Sequence, residues 1–261
     1  MRLLLAFIAL FISGIVSAQT PSFEKKQYHY AEGKILPYRI LYPENYDKTK
    51  KYPLVLFLHG AGERGDDNEK QLVHGSKLFL DAENRKKFPA IVIFPQCPFN
   101  SFWAAIKVDT SVRPRTIAFD YKSEANWPLI AANELVQKVT SEEAVDRRRV
   151  YVAGLSMGGM GTFEIVYRYP KIFSAALPIC GGADLNNYTT WTGKTPFWIF
   201  HGDADPVVPV KFSRDANEKL KSIKADVKYT EYLGVNHNSW DSAFAEPDFL
   251  KWMFQQKQKK K

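Results

Sequence analysis

The sequence is poor in patterns that bind metal ions. It has only two cysteines, Cys97 and Cys180, in 261 residues, no HExxH motif, and no cysteines at the spacing of a zinc site. Its 15 glycines and 15 prolines follow no repeat period, which excludes collagen-like and low-complexity chains. We therefore expect no metal site, and we expect no cofactor.

An excess of charge of one sign is also nearly absent from the body of the chain. The formal net charge is +8, but Arg2 and the four lysines of residues 257–261 account for much of it. Without these five residues, 31 Lys and Arg stand against 28 Asp and Glu, which leaves +3. A basic end is usually solvated and frayed, so we expect a disordered tail at 257–261 and no nucleic-acid partner.

The longest apolar run lies at the N-terminus and ends at Val16. Arg2 precedes this run, and Val16 and Ala18 suit the −3 and −1 positions of a signal-peptidase site. We expect residues 1–18 to be a signal peptide, so that the mature protein is exported, periplasmic or extracellular, with no membrane span. The alternative is an N-terminal anchor, but the run is short for a spanning helix of about 20 residues.

Apolar runs alternate with amphipathic stretches along the rest of the chain. The runs are short and rich in β-branched and aromatic residues, as in strands of a parallel sheet covered by helices. This alternation predicts an α/β fold, a single domain over residues 19–256, with an eight-stranded, mostly parallel sheet and helices on both faces. The predicted strands are 25–30, 36–42, 54–58, 91–94, 150–153, 175–179, 197–200 and 227–232, and the predicted helices are 129–139, 162–168, 210–223 and 239–254.

Residues 99–127 interrupt this rhythm, because they form a long aromatic-rich stretch without a clean period. Long loops in compact domains are often lids or binding loops. We expect an insertion loop here, which serves either substrate binding or only the packing of its own aromatics.

The sequence Gly154-Leu-Ser-Met-Gly158 follows a predicted strand directly and precedes a helical pattern. A sharp strand–turn–helix of this kind exposes the central serine at the carboxyl edge of the sheet, and the glycines allow strand and helix to approach. The context therefore predicts that Ser156 is a nucleophile rather than an idle serine in a glycine-rich turn.

A nucleophilic serine needs a base, and the base needs an acid that orients it. In the triad order serine, acid, histidine, only His201 and His237 follow Ser156, and His237 lies in a loop after the last strand. We assign His237 as the base and Asp205 as the acid. Asp203 and Asp184 remain the alternative acids.

An oxyanion that develops during acyl transfer needs two backbone donors. One is expected from Met157, which follows the nucleophile, and the other from the glycine-rich loop after the strand 54–58. We choose the amide of Ala61, with Gly62 as the alternative, and expect Glu63 and Arg64 to pair and brace this loop.

These motifs together resemble a known family. LHGAGERG, PQCP, GLSMGG, HGDADPVVP and GVNHNSWD are similar to those of α/β-hydrolase serine esterases of the phospholipase/carboxylesterase type. The closest resemblance is to exported bacterial "predicted peptidases", which are related to feruloyl, acetyl-xylan and polyhydroxybutyrate esterases. It covers about residues 34–256 and implies the same triad and oxyanion donors. It also places Gln96 and Trp240 near the site, where we expect both to bind substrate. One departure is Asn236, where relatives often have a glycine.

The usual strand order of this fold separates Cys97 from Cys180. The strands that precede them lie three spacings apart, about 14 Å, whereas a disulfide needs Cα atoms within about 7 Å. We predict two free, buried thiols.

Ester hydrolysis through an acyl-enzyme is the leading functional hypothesis. The substrate would be a small-molecule or polysaccharide-linked ester, with Trp103 and Trp240 available to stack on sugar or feruloyl rings. The alternatives are a serine peptidase of the prolyl-oligopeptidase-like group, which uses the same triad, and a catalytically idle binding module. An idle module is expected to have lost a triad member, and this chain has all three.

Overall fold

The computed structural model describes residues 22–109, 111, 116–190 and 192–259. The predicted signal peptide at 1–18 lies outside these ranges, and so do the last two lysines. No helix in the described ranges combines the length and apolar content that crossing a membrane requires.

An eight-stranded sheet forms the centre of the molecule. The central strands are parallel and buried on both faces, because their sequences are almost continuously apolar. Two antiparallel strands at one edge, β1 and β2, complete the sheet in the order β1-β2-β4-β3-β7-β8-β9-β10, which confirms the predicted fold. The strands are β1 Glu24–Ala31, β2 Lys34–Leu41, β3 Tyr52–Leu58, β4 Ile91–Pro95, β7 Val145–Leu155, β8 Ala175–Ile179, β9 Phe197–Gly202 and β10 Val227–Tyr232.

Helices cover both faces of the sheet. One apolar core contains residues of α3, α4 and α5, and the other contains residues of α1, α6 and α7. The helices are α1 Ser76–Leu80, α2 Ala82–Lys87, α3 Trp127–Glu142, α4 Met157–Arg168, α5 Lys211–Ser222, α6 Ser239–Phe244 and α7 Phe249–Gln255.

The predicted helix 239–254 is in fact two helices, α6 and α7. Pro247 lies in the turn between them, and its missing N–H and fixed φ are incompatible with a continuous helix interior. Sequence periodicity also missed α1 and α2, which have only five and six residues and are too short to show a clear period.

The expected insertion loop at 99–127 contains regular structure. Two strands, β5 Ile106–Asp109 and β6 Thr116–Phe119, form an antiparallel hairpin, and α3 already begins at Trp127. Partly buried hairpin residues pack on a small apolar cluster that includes Met160 of α4 and Val208. The hairpin therefore lies over the N-terminal part of α4 and the loop that follows β9.

Two further expectations concern the cysteines and the tail. Cys97 and Cys180 are both free and buried, as predicted, and they follow β4 and β8. The described start of the tail contacts the domain: Lys257 Nζ lies 3.6 Å from the Asp146 carboxylate, and Gln258 N–H donates to the Arg148 carbonyl at 3.0 Å. These contacts hold the described start of the tail against the domain.

Candidate active site

Ser156 occupies the sharp turn between β7 and α4 in a strained backbone conformation. Its φ of 53° and ψ of −116° lie outside the ordinary regions for a residue with a side chain, at a typical cost of about 1–3 kcal/mol. The turn is tight because strand and helix touch: a Cβ on Gly158 would lie 1.9 Å from the Leu58 carbonyl oxygen. The two glycines of the motif are therefore required by the close approach of backbones.

The His237 side chain joins Ser156 to Asp205. Its Nε2 lies 2.9 Å from Ser156 Oγ, and its Nδ1 lies 2.7 Å from Asp205 Oδ2. The carboxylate can only accept, so Nδ1 carries the proton and Nε2 is free to accept the serine hydroxyl hydrogen. The structure thus brings together the three residues that the sequence singled out, in the arrangement of a nucleophile, its base and an orienting acid.

Asp205 is buried and accepts hydrogen bonds at both oxygens. Backbone N–H groups of Val207 and Val208 donate to Oδ1 at 2.8 and 2.9 Å, and the two histidines His201 and His237 contact Oδ2. Burial is the largest single influence and raises the pKa of Asp205. The four hydrogen bonds together outweigh burial and hold that pKa well below its usual range, so the carboxyl is ionised.

His201 is a buried neighbour of Asp205, and the sequence pattern assigns it no role. Its Nε2 lies 3.2 Å from Asp205 Oδ2 and 3.0 Å from the Val208 carbonyl oxygen, and its Nδ1 lies 2.7 Å from Ser213 Oγ. The available signal was its position at the end of the apolar strand β9, four residues before the acid.

The two alternative acids have other partners. Asp203 accepts from the Gly234 N–H at 2.6 Å, and its own N–H donates to the Tyr232 carbonyl at 3.1 Å. It thereby ties the loop of the acid to the loop of His237. Asp184 caps the short 3-10 helix Leu185–Asn187 by accepting from the Asn186 N–H.

The two predicted oxyanion donors are each the first residue of a helix. Met157 begins α4, and Ala61 begins the 3-10 helix Ala61–Glu63. The N–H groups in a first helical turn have no partner within the helix, so both amides are available to a substrate oxygen. Gly62 is the second residue of the same turn and has the same freedom.

His59 fixes the loop that carries Ala61. Its Nδ1 donates to the Gly60 carbonyl at 2.6 Å, and its Nε2 accepts the Cys97 N–H at 2.9 Å. Burial is the main influence that lowers the pKa of His59 to about 4, so the ring is neutral and can make both bonds at once. A neutral histidine therefore links the oxyanion loop to the end of β4.

Two of the three expected substrate-contacting residues are completely buried, which contradicts direct contact. Trp103 donates its indole N–H to the His59 carbonyl at 3.1 Å, and Gln96 bonds to the Glu63 carbonyl, Asp67 and the Asn68 N–H. The polar groups of both side chains are already hydrogen-bonded to the loop after β3. Both side chains therefore support this loop from the protein interior.

Trp240, the third, is partly exposed beside the base. Its ring centroid lies 5.4 Å from that of His237 and 5.0 Å from that of His74. Of the three expected residues, Trp240 is the one that has exposed surface beside His237.

One group of potential metal donors exists among the described residues. The donor atoms of Cys180, Asp205 and His237 lie within 4.8 Å of one another. However, Asp205 and His237 already share a hydrogen bond, and burial raises the pKa of the Cys180 thiol above its ordinary value, so this thiol keeps its proton. The donor set does not fit a resident metal.

Residues 60–65, GAGERG, also have the glycine spacing of a dinucleotide-binding fingerprint after a strand. In that fingerprint the loop leads straight into a helix whose N-terminus binds the pyrophosphate. Here the loop enters a three-residue 3-10 helix, and the next α-helix begins only at Ser76. The spacing alone therefore does not indicate a dinucleotide site.

Comparisons with known proteins agree with this geometry. A family model described as putative esterase matches residues 33–237. An acyl-protein thioesterase 1 of Neurospora crassa is 31% identical over 75% of this chain and 84% of its own length, and a probable carboxylesterase SOBER1-like protein of Arabidopsis thaliana is 27% identical over 70% and 72%. An uncharacterized secreted protein of Arthroderma benhamiae is 26% identical over 79% of this chain, which spans only 23% of that protein.

Solved structures show the same fold. A thermostable esterase superposes with a TM-score of 0.81 and 36% identity over 90% of this chain, which covers 63% of that longer chain. A ferulic acid esterase from Anaeromyces mucronatus superposes with a TM-score of 0.66 and 18% identity, covering 94% of this chain and 93% of its own.

Proposed function

The chain belongs to the putative esterase family, an α/β-hydrolase of the serine ester hydrolase type, and we propose that it cleaves carboxylic esters through an acyl-enzyme intermediate. The observation that carries this proposal is the hydrogen-bonded series from Ser156 Oγ through His237 to Asp205, built on a strained turn.

In the proposed first step, Ser156 Oγ attacks the ester carbonyl carbon while His237 Nε2 takes the hydroxyl proton. The carbonyl oxygen becomes an oxyanion, which the amides of Ala61 and Met157 stabilise. His237 then gives its proton to the departing alcohol oxygen, and the acyl group stays on the serine. In the second step a water molecule attacks the acyl carbon while His237 Nε2 takes its proton. His237 then returns the proton to Ser156 Oγ as the bond to the serine breaks, and the carboxylic acid is released.

Asp205 orients His237 and stabilises its cationic form during each transfer. Four hydrogen bonds to its carboxylate support this role, because a carboxyl with a lowered pKa stays negative beside the imidazolium instead of accepting its proton. The other three donors, the Val207 and Val208 N–H groups and His201, fix the plane of the carboxylate and therefore the orientation of the His237 ring.

For the substrate, we propose esters carried as side groups on plant polysaccharides, acted on outside the cytoplasm. Trp240 lies beside the base, where a flat ring of the substrate can stack on it. The fold likeness to a ferulic acid esterase agrees with this proposal. The secreted Arthroderma relative and the signal-like N-terminus support export.

The test is a panel of p-nitrophenyl acyl esters, methyl ferulate, acetylated xylan and peptide p-nitroanilides, assayed with the wild type and the Ser156→Ala variant. Turnover of the esters by the wild type alone, with the xylan and ferulate esters among the best, supports the proposal. Faster turnover of the anilides than of every ester would contradict the esterase proposal and indicate a peptidase. No turnover of any substrate would indicate an idle binding module.

A further inference from the structure

Arg64 is held rigidly beside the proposed oxyanion loop. Its Nε donates to the Ala61 carbonyl at 3.0 Å, and its Nη1 donates to the Ser101 carbonyl at 3.2 Å. The guanidinium carbon also lies 5.3 and 4.7 Å from the ring centroids of Phe99 and Phe102. Two carbonyls and two aromatic rings therefore fix the position of this charge before any substrate arrives.

This fixed charge has no acidic partner within the described residues. The expected pairing with Glu63 does not occur, because that carboxylate turns toward His74, whose Nε2 lies 3.8 Å from Glu63 Oε1. A guanidinium has five N–H donors, and the two carbonyls use two of them. Three donors and a full positive charge thus remain available at a partly exposed side chain.

Arg64 also lies close to Ala61, the proposed oxyanion donor of the same loop. Its Nε bonds to the carbonyl of Ala61, whose own N–H is a proposed oxyanion donor, so the two nitrogens lie within about 7 Å of each other. Phe99 next to it is 76% exposed, which leaves a ring surface open beside the charge.

We propose that Arg64 is a specificity-determining residue that binds a carboxylate on the substrate. This inference rests on the proposed function and narrows its substrate class to esters whose acyl or alcohol part carries a free carboxylate in addition to the ester bond, as an acidic sugar does. The guanidinium forms a charge-assisted, bidentate hydrogen-bonded contact with the carboxylate, and Phe99 covers the adjacent apolar part of the substrate.

The test compares two matched pairs of esters that differ in one charge. On the acyl side these are p-nitrophenyl monoadipate and p-nitrophenyl heptanoate; on the alcohol side, p-acetoxybenzoate and p-acetoxybenzamide. The wild type should prefer the charged member of at least one pair in kcat/KM by about tenfold, and Arg64→Gln should abolish that preference, so that the ratio of charged to neutral ester falls to about one.

Arg147→Gln is the matched control for overall charge. Arg147 is exposed near the amino end of β7, at the opposite edge of the sheet from Ser156, so its loss should leave the preference intact. The proposal is overturned if the wild type prefers neither charged ester, if Arg64→Gln slows both members of a pair equally, or if Arg147→Gln removes the preference as well.

A binding measurement covers the case in which Arg64→Gln does not fold. Calorimetry on the otherwise intact Ser156→Ala protein compares p-hydroxybenzoate and adipate with p-hydroxybenzamide and adipamide. A carboxylate that binds about tenfold more tightly than its amide, less so in high salt, supports the proposal, and equal affinities within both pairs overturn it. Because this experiment needs no turnover, it separates a failure of Arg64 from a failure of the esterase proposal.

Discussion

His201 and His237 approach the same oxygen atom, Oδ2 of Asp205, at 3.2 and 2.7 Å. Only His237 reaches Ser156, whereas His201 is completely buried and contacts Ser213 and the Val208 carbonyl with its ring nitrogens. The acid is therefore held between one histidine that takes part in proton transfer and one that positions the carboxylate.

Replacing His201 should impair catalysis without removing any group that touches substrate. His201→Ala takes one donor from Asp205 and the partner from Ser213, so we expect kcat/KM to fall about tenfold or more, chiefly in kcat. His201→Gln, which keeps a donor, should recover part of the loss. An unchanged kcat in a folded His201→Ala protein would assign His201 to packing alone.

Gly158→Ala should destabilise the domain strongly. Its Cβ would lie 1.9 Å from the Leu58 carbonyl oxygen, which is backbone and cannot turn away. We expect a loss of about 2 kcal/mol or more in the free energy of unfolding, measured by urea denaturation. Gly62→Ala is the control, since nothing lies within 4 Å of its added Cβ, and it should change stability by less than about 0.5 kcal/mol. Equal stabilities of the two variants would contradict the close approach of β3 and α4.

His59 should make the stability of the wild type depend on pH. Its pKa is about 4 in the folded protein and about 6.5 in an unfolded chain, so between these values the unfolded state binds more protons and stability falls as the pH falls. The full effect is of the order of 3 kcal/mol and is present above about pH 6.5. His59→Gln cannot titrate, so the stability gap between wild type and variant should narrow from pH 6.5 to pH 4, as measured by urea denaturation. A gap that stays constant over this range would show that His59 does not carry the effect.

Both cysteine thiols should be unreactive toward alkylating reagents in the native protein. Burial raises the pKa of Cys97 and of Cys180, and both side chains are inaccessible, so an alkylating reagent should modify neither at neutral pH. Unfolding in denaturant without reductant should release two reactive thiols, counted by intact mass. A product that gains no label after denaturation would indicate a disulfide and a different strand order.

The sequence was most informative where one physical cause acts alone. Continuous apolar runs predicted the buried strands, and the strand–turn–helix around Ser156 predicted the nucleophile because few other functions require that turn. The short helices α1 and α2 and the hairpin β5–β6 were missed, since segments of four to six residues show little period. The apolar spacing over 239–254 predicts a single helix, whereas Pro247 separates it into α6 and α7.

Side-chain roles near the site depended on burial, which no local pattern reveals. Gln96 and Trp103 were expected to contact substrate, yet both brace the oxyanion loop from within. Glu63 and Arg64 are neighbours of opposite charge, but they contact different partners, His74 and the Ala61 carbonyl. Nothing in the sequence distinguishes His201 from other polar residues at the end of a strand. Its role becomes visible only through its contact with Asp205.

The most direct test of the account is the ratio of kcat/KM for p-nitrophenyl butyrate between the wild type and Ser156→Ala. If Ser156 forms the acyl-enzyme, the variant should lose activity by about 10⁴-fold or more while keeping the thermal stability of the wild type. A folded Ser156→Ala protein that keeps more than about 1% of wild-type activity would contradict the assignment of Ser156 as the nucleophile.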